Sequence, residues 1–161
     1  MTMNDQHQET AGVIAPPPLI YAGTLTLGLI LHRLVPIHLL PKRSGSLRRV
    51  LGMLLIAAGV LQALWAAFTM IRSGNNPEPS HPVVSLVTGG PFRFSRNPIY
   101  IAMTAGYIGL SLLLGTLWHV ILLPGLISIM NWGVVRREED YLTRRFGDDY
   151  REYTQQVRRW L

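Results

Sequence analysis

The chain has no cysteine among its 161 residues, so disulfides, thiolate nucleophiles and cysteine-bound metals are excluded at once. Charge is scarce too. Charged residues make up 15% against 48% hydrophobic, a balance that leans towards a membrane. The scarcity is concentrated in particular runs. Val50 to Ile71 is 22 residues without a charge, bracketed by Arg48, Arg49 and Arg72. As a helix rising about 1.5 Å per residue it spans about 33 Å, close to the roughly 30 Å of a bilayer core. Pro98 to Val135 is 38 residues with no Asp, Glu, Lys or Arg. One helix of that length would reach about 57 Å, so the run must fold back on itself. Gly115-Thr116 supplies the turn, with Trp118 and His119 read as interface residues beside it. A further span, residues 18–35, ends in His32 and Arg33, whose side chains can snorkel. The N-terminal MTMNDQHQET is acidic and has no basic n-region, which argues against a cleaved signal peptide.

The expected fold is therefore an all-α integral membrane protein with four transmembrane helices, at 18–35, 50–71, 98–114 and 117–135. A polar tail, 1–17, precedes this single domain, 18–161. A first loop, 36–49, is punctuated by Pro36 and Pro41, and NNPEPSHP in the second loop, 73–97, rules out regular helix or strand there. Residues 136–161 carry seven arginines and six acids. Within them Leu142, Phe146, Tyr150, Tyr153, Val157 and Trp160 recur at helical steps, and Gly147 followed by Asp148 and Asp149 divides the stripe. Two short amphipathic helices are predicted. The net charge of +6 sits beside the spans, where anionic lipid and topology account for it, so nucleic acid is not an expected partner.

Two spans separate the second loop from the tail, which puts both on one face of the membrane. Arg93, Arg96, Asn97 and Tyr100 then lie opposite Arg136, Arg137, Glu138, Glu139 and Asp140. The two ends of one helical hairpin make one polar site.

The stretch GPFRFSRNPIY resembles the GPYRYxRHPxYxG signature of the isoprenylcysteine carboxyl methyltransferase family, including its short bacterial members, which are themselves similar to phospholipid methyltransferases. The tail REEDYLTRRFGDDYREYTQQVRRWL resembles that family's second signature, EExxLxxxFGxxYxxYxxxVxRW. The resemblance implies an integral membrane methyltransferase that uses S-adenosylmethionine (SAM) and holds it between the hairpin, the loop before it and the C-terminal helices. It places Arg96, Asn97, Pro98 and Tyr100 on the first cofactor motif, and Arg137, Glu138, Glu139 and Leu142 on the second. Arg96 and Arg137 become catalytic candidates, and Arg93, Tyr150 and Arg159 candidates for the acceptor side, with Tyr153 beside Tyr150. Two residues depart from the pattern: Asn97 stands for the motif histidine and Ala102 for a glycine. Asparagine can donate and accept a hydrogen bond but cannot titrate near neutral pH, so no general acid or base is expected at position 97.

SAM combines a sulfonium cation, an amino acid end, a ribose and an adenine. Glu138 and Glu139 suit ribose hydroxyls or the ammonium group, Arg96 or Arg137 suits the carboxylate, and Tyr100 and Phe94 offer aromatic faces. Neighbouring helical residues point about 100° apart, so one glutamate should face the ligand and the other an arginine or the membrane; Glu138 is expected inward. Methyl transfer is an in-line displacement governed by positioning. A carboxylate acceptor, with pKa about 3.5, needs no base, whereas an amine near 10 must first lose a proton. With no evident base outside the tail's acids, a lipidic carboxylate is the expected acceptor and a phospholipid amine the alternative. A membrane reductase or a small transporter is disfavoured, the latter because all nine acids lie outside the spans. A SAM site facing the cytoplasm of a bacterial inner membrane puts the basic first loop outside, against the positive-inside tendency, yet leaves more arginine inside.

Overall fold

The computed structural model describes residues 11–39, 45–78 and 81–161, so the acidic start of the tail and Pro41 lie outside the described residues. Six α-helices follow one another: α1 (Pro17–Leu34), α2 (Gly45–Arg72), α3 (Pro98–Leu114), α4 (Trp118–Met130), α5 (Arg136–Phe146) and α6 (Asp148–Gln156). A 3-10 turn at Gly90–Arg93 leads to α3, and a π-helical turn at Asn131–Val135 joins α4 to α5. Among the described residues there is no strand beyond an isolated bridge between His38 and Thr116.

Two helices are long and apolar enough to cross a membrane: α2, and the continuous helix Trp118–Phe146 made of α4, the π turn and α5. α3 is apolar but shorter, at 17 residues. Of the four spans expected from the sequence, two are thus met by length and composition, with α3 as a shorter apolar companion. α2 also begins at Gly45, five residues before its charge-free run, because Leu47, Arg48 and Arg49 are all acceptable helix residues. The fourth apolar segment does not stop at the tail. It runs into the charged α5 through the π turn, so the hydrophobic and polar halves are parts of one rod whose apolar portion ends at Val135.

The tightest helix contact is between α2 and α3, and it is made of small residues. A Cβ on Gly59 would stand 2.7 Å from the Ala102 carbonyl oxygen, and one on Gly109 would stand 2.7 Å from that of Gly52. Gly52 and Gly59 are seven apart, as are Ala102 and Gly109, so each pair faces its partner two turns apart. Without side chains between them the backbones approach closely, the usual means of association in apolar surroundings. Ala102 packs its backbone here, which explains why a small residue, not glycine in particular, is sufficient.

The turn between α3 and α4 falls where expected. Gly115 adopts φ 70°, ψ 24°, and its N–H donates to the Ser111 carbonyl, closing α3. His119, expected at the membrane interface, is instead fully buried between α1 and α4. Its ring occupies the space left by Gly28, its Nε2 lies 3.0 Å from the Leu25 carbonyl, and Tyr107 meets it edge-on. The ring is thus satisfied at Nε2 only, and Nδ1 is buried without a hydrogen-bond partner among the described residues.

Candidate functional site

Asn97 and Pro98 set the geometry of the site. Pro98 occupies the first helical position of α3, where its missing N–H costs nothing, and Asn97 has non-helical backbone angles before it. The Asn97 side chain is buried and turns away from the helix to donate from Nδ2 to the Arg159 carbonyl at 2.9 Å. Ser95 Oγ donates to the same carbonyl at 3.1 Å, and the Arg96 N–H donates to the Arg158 carbonyl at 2.9 Å. The C-terminal residues are thereby bound to the start of α3. Tyr153 adds a hydrogen bond from its hydroxyl to the Phe92 carbonyl at 2.7 Å, attaching α6 to the 3-10 turn.

A cleft partly open to solvent lies between the first turn of α3, α5, α6 and the loop residues 75–78 and 81–87. Its polar wall carries Arg96, Asn97, Tyr100, Glu138, Glu139 and Tyr150; Met70, Leu86, Val87, Phe92 and Ile99 give it an apolar side. The Tyr100 hydroxyl donates to Glu138 Oε1 at 2.6 Å. Glu139 receives Arg96 Nη1 at 3.0 Å and Arg159 in bidentate fashion, Nε at 2.9 Å and Nη2 at 2.5 Å. Arg159 reaches on with Nη1 to Asn131 Oδ1 at 3.3 Å, a residue of the π turn. The two adjacent carboxylates thus have different partners. One is held between two cations; the other has a phenol.

That difference governs their charge. Burial pushes the Glu138 carboxyl up to about 7, the Tyr100 hydrogen bond only partly opposing it and the Glu139 charge adding to it. Tyr150 is pushed up to about 12, chiefly by burial and secondarily by Glu139, with Arg96 pulling the other way. Donating hydrogen bonds to Glu139 holds the Arg159 guanidinium above its ordinary value, so it stays a cation. Arg96 Nε is buried and donates to no group among the described residues. A buried orphan N–H at a cleft wall is suited to an anionic ligand group.

Of the residues singled out in the sequence, Arg96, Asn97, Pro98, Tyr100, Glu138, Glu139, Leu142 and Tyr150 line the cleft, and Arg159 closes its edge through Glu139. The structure does not bring Arg137 or Arg93 there. Arg137 is exposed and donates from Nη1 to the Gly12 carbonyl at 2.8 Å, since the helical step from Glu138 turns it away from the cleft. Arg93 is exposed at the end of the 3-10 turn, and Phe94 is 69% exposed; Phe92 supplies the aromatic face expected of Phe94. Both glutamates reach the cleft wall, because Glu139 bends back to its arginines.

The loop before the hairpin was expected at the site, but none of its residues between 75 and 87 was singled out. Asn75 is buried and holds it in place, accepting from the Val84 and Ser85 N–H groups at 2.6 and 3.1 Å and donating to the Ser85 carbonyl at 2.8 Å. Tyr141 adds an anchor, its hydroxyl accepting from the Val83 N–H at 3.1 Å. The only signal was an asparagine just beyond a helix end. Among the described residues no group of three or more His, Asp or Glu is placed to hold a metal ion.

Residues 47–149, more than half of the chain, match the phospholipid methyltransferase family. The cobalt-zinc-cadmium resistance protein CzcN of Cupriavidus metallidurans is 28% identical over 107 residues, 66% of this chain and 45% of that protein. The nickel-cobalt-cadmium resistance protein NccN of Alcaligenes xylosoxydans xylosoxydans is 30% identical over 105 residues, 64% of this chain and 46% of that protein. An uncharacterized protein of Haemophilus influenzae is 54% identical over 35 residues, 22% of this chain and 56% of its own. The chain spans about half the length of these curated relatives. No solved structure matches it.

Proposed function

The chain belongs to the phospholipid methyltransferase family, and from that premise we propose that it transfers a methyl group from SAM to a lipidic acceptor at the membrane face. The single observation that carries this reading is the cleft itself. It joins the two resemblance motifs, with a phenol–carboxylate pair on one side and an arginine–carboxylate–arginine cluster on the other. The residues fit the cofactor. The unpartnered Arg96 Nε faces a carboxylate need, Glu138 a cationic or hydroxyl need, and the apolar side an adenine or an acyl chain. SAM, when bound, supplies an electrophilic methyl on sulfonium.

The chain's own part is to bind, orient and handle a proton. Arg96 and Glu139 form a fixed polar wall, since each immobilises the other. Glu138 differs: among the described residues it is paired with no arginine and accepts a hydrogen bond from Tyr100. With a carboxyl raised to about 7 it can take a proton at neutral pH. A carboxylate acceptor would not need this, but an amine head group would. Glu138 therefore favours the amine over the carboxylate expected from the base-poor sequence. Lateral entry from the bilayer fits the two membrane-length helices with α3 beside them, and a cytoplasmic cleft on a bacterial inner membrane fits the source of SAM.

The test is mass spectrometry of phosphatidylethanolamine vesicles containing oleic acid, incubated with the purified protein and isotopically labelled SAM. Label on the amine lipid supports the favoured reading, and label on oleate returns the carboxylate one. Label on neither, together with no binding of SAM, removes the methyltransferase assignment.

A further inference from the structure

Arg137 has a role in the structure that its place beside the glutamates does not suggest. Residues 11–16 cross the continuous helix at the level of the π turn and are tied down there by three contacts. The Ile14 N–H donates to the Gly133 carbonyl at 3.1 Å. The Ile14 side chain fills the space over Gly133, where a Cβ would stand 2.3 Å from Ile14 Cδ1. Arg137 Nη1 donates to the Gly12 carbonyl at 2.8 Å, with Gly12 at φ 57° turning that carbonyl towards it. Beyond Gly12, Ala11 forms part of the cleft wall.

The π turn makes this attachment possible. In the π register the Arg136 N–H bonds to the Asn131 carbonyl five residues back, and Gly133 lies within the widened turn with its carbonyl engaged by Ile14. Such turns are rare and concentrate at functional sites. Here one turn serves two attachments, Gly133 for the N-terminal strap and Asn131 for Arg159. The strap also sits at the membrane level. Ile14 is 53% exposed and apolar, and Trp132 beside Gly133 is 59% exposed with the Arg136 guanidinium stacked on its ring at 3.4 Å. An exposed apolar side chain next to an aromatic–arginine pair belongs at the boundary of the hydrocarbon.

We propose that the strap Ala11–Pro16, latched by Arg137, is the lateral gate through which a bilayer-dissolved acceptor reaches the cleft. This rests on the methyltransferase reading for the nature of the acceptor, but the gate is defined by access and not by turnover. Arg137 is then a positioning residue. Its latch is a single exposed hydrogen bond, weak enough to open, whereas the seat of Ile14 over Gly133 brings the strap back in register.

The absence of cysteine gives a direct test. Leu142→Cys puts one thiol on the cleft wall, and its alkylation is timed in vesicles containing a phosphatidylethanolamine whose head group carries a maleimide. Arg137→Ala should speed alkylation by roughly three- to tenfold, the factor that one hydrogen bond is worth. Arg137→Lys, which keeps a donor, should restore the slower rate. A water-soluble maleimide should label all three proteins at one rate. Equal rates with the lipid reagent in all three would overturn the gate, as would a parallel rise with the soluble reagent, which means general loosening. Calorimetric binding of S-adenosylhomocysteine, measured alongside, should be unchanged by Arg137→Ala. Its absence from every variant, the native chain included, would count against the methyltransferase reading and leave the access result standing.

Discussion

Tyr100 and Glu138 meet across the cleft, the phenol donating to Glu138 Oε1 at 2.6 Å and linking the first turn of α3 to the first turn of α5. The contact joins the two segments that carry the resemblance motifs, at opposite ends of the helical hairpin. It also leaves Glu138 as the carboxylate with no cation of its own.

Removing that charge should weaken the cofactor. Glu138→Gln keeps size and the hydrogen bond to Tyr100 but cannot answer a cationic ligand group or take a proton. A buried charge-assisted hydrogen bond is worth about 1.5–3 kcal/mol, so SAM affinity should fall roughly 10- to 150-fold. Isothermal titration of the variant reads this directly, and an unchanged Kd would place Glu138 outside the ligand's reach.

The pH dependence has a definite sign. The folded pKa of Glu138, about 7, exceeds its unfolded value of 4.5, so the folded state binds this proton more tightly. Its contribution to stability is present below the unfolded value and is lost as pH rises through about 7. Binding of a cationic ligand should run the other way, strengthening between pH 6 and 8 with release of a proton, provided the carboxylate is what it meets. Titrations in buffers of different ionisation enthalpy measure that proton, and Glu138→Gln should abolish its release.

Glu139 should matter more for the fold than for charge recognition. Glu139→Gln leaves Arg96 and Arg159 facing each other with no carboxylate between them. Breaking a fully buried pair costs about 3–5 kcal/mol; these three side chains are only partly buried, Arg159 being 33% exposed, so a smaller loss applies. Thermal unfolding in detergent should show a clear fall in midpoint. Exchange of the backbone amides of residues 157–160 should quicken at the same time, because Arg159 helps hold that segment.

The α2–α3 seam is a test well away from the ligand. Gly59→Val would push a branched side chain into the Ala102 carbonyl, already 2.7 Å from a Cβ there. The helices must separate, which shifts Pro98 and Tyr100 with α3. Overpacking of this kind costs about 1–3 kcal/mol, and SAM affinity should decline along with the melting temperature. A lowered melting temperature with unchanged affinity would show that the cleft does not depend on the seam.

Much of the fold was legible because charge-free runs have physical lengths. Val50–Ile71 and Pro98–Val135 state how many helices the apolar segments make, and Gly115 states where the second run turns. Helix ends were less legible. Nothing about Leu47 or Arg48 forbids helix, so α2 starts earlier than its apolar run, and no residue in NWGVV announces a π turn. The wall of the cleft was legible at Arg96, Tyr100, Glu138 and Glu139, whose types demand polar partners near an apolar span. Arg137 was misread because its neighbours define the cleft, while its own direction depends on a single 100° step. Asn75 was missed because its work is done for a loop nine residues away, and no local pattern encodes that.

The central claim is that the cleft between α3 and α5 is a methyl-donor site. Calorimetric titration of the purified protein with S-adenosylhomocysteine, and separately with a nicotinamide dinucleotide, tests it most directly. The account predicts saturable binding of S-adenosylhomocysteine that Glu138→Gln weakens, and no heat from the dinucleotide. Binding of the dinucleotide alone, with none of S-adenosylhomocysteine, would contradict it.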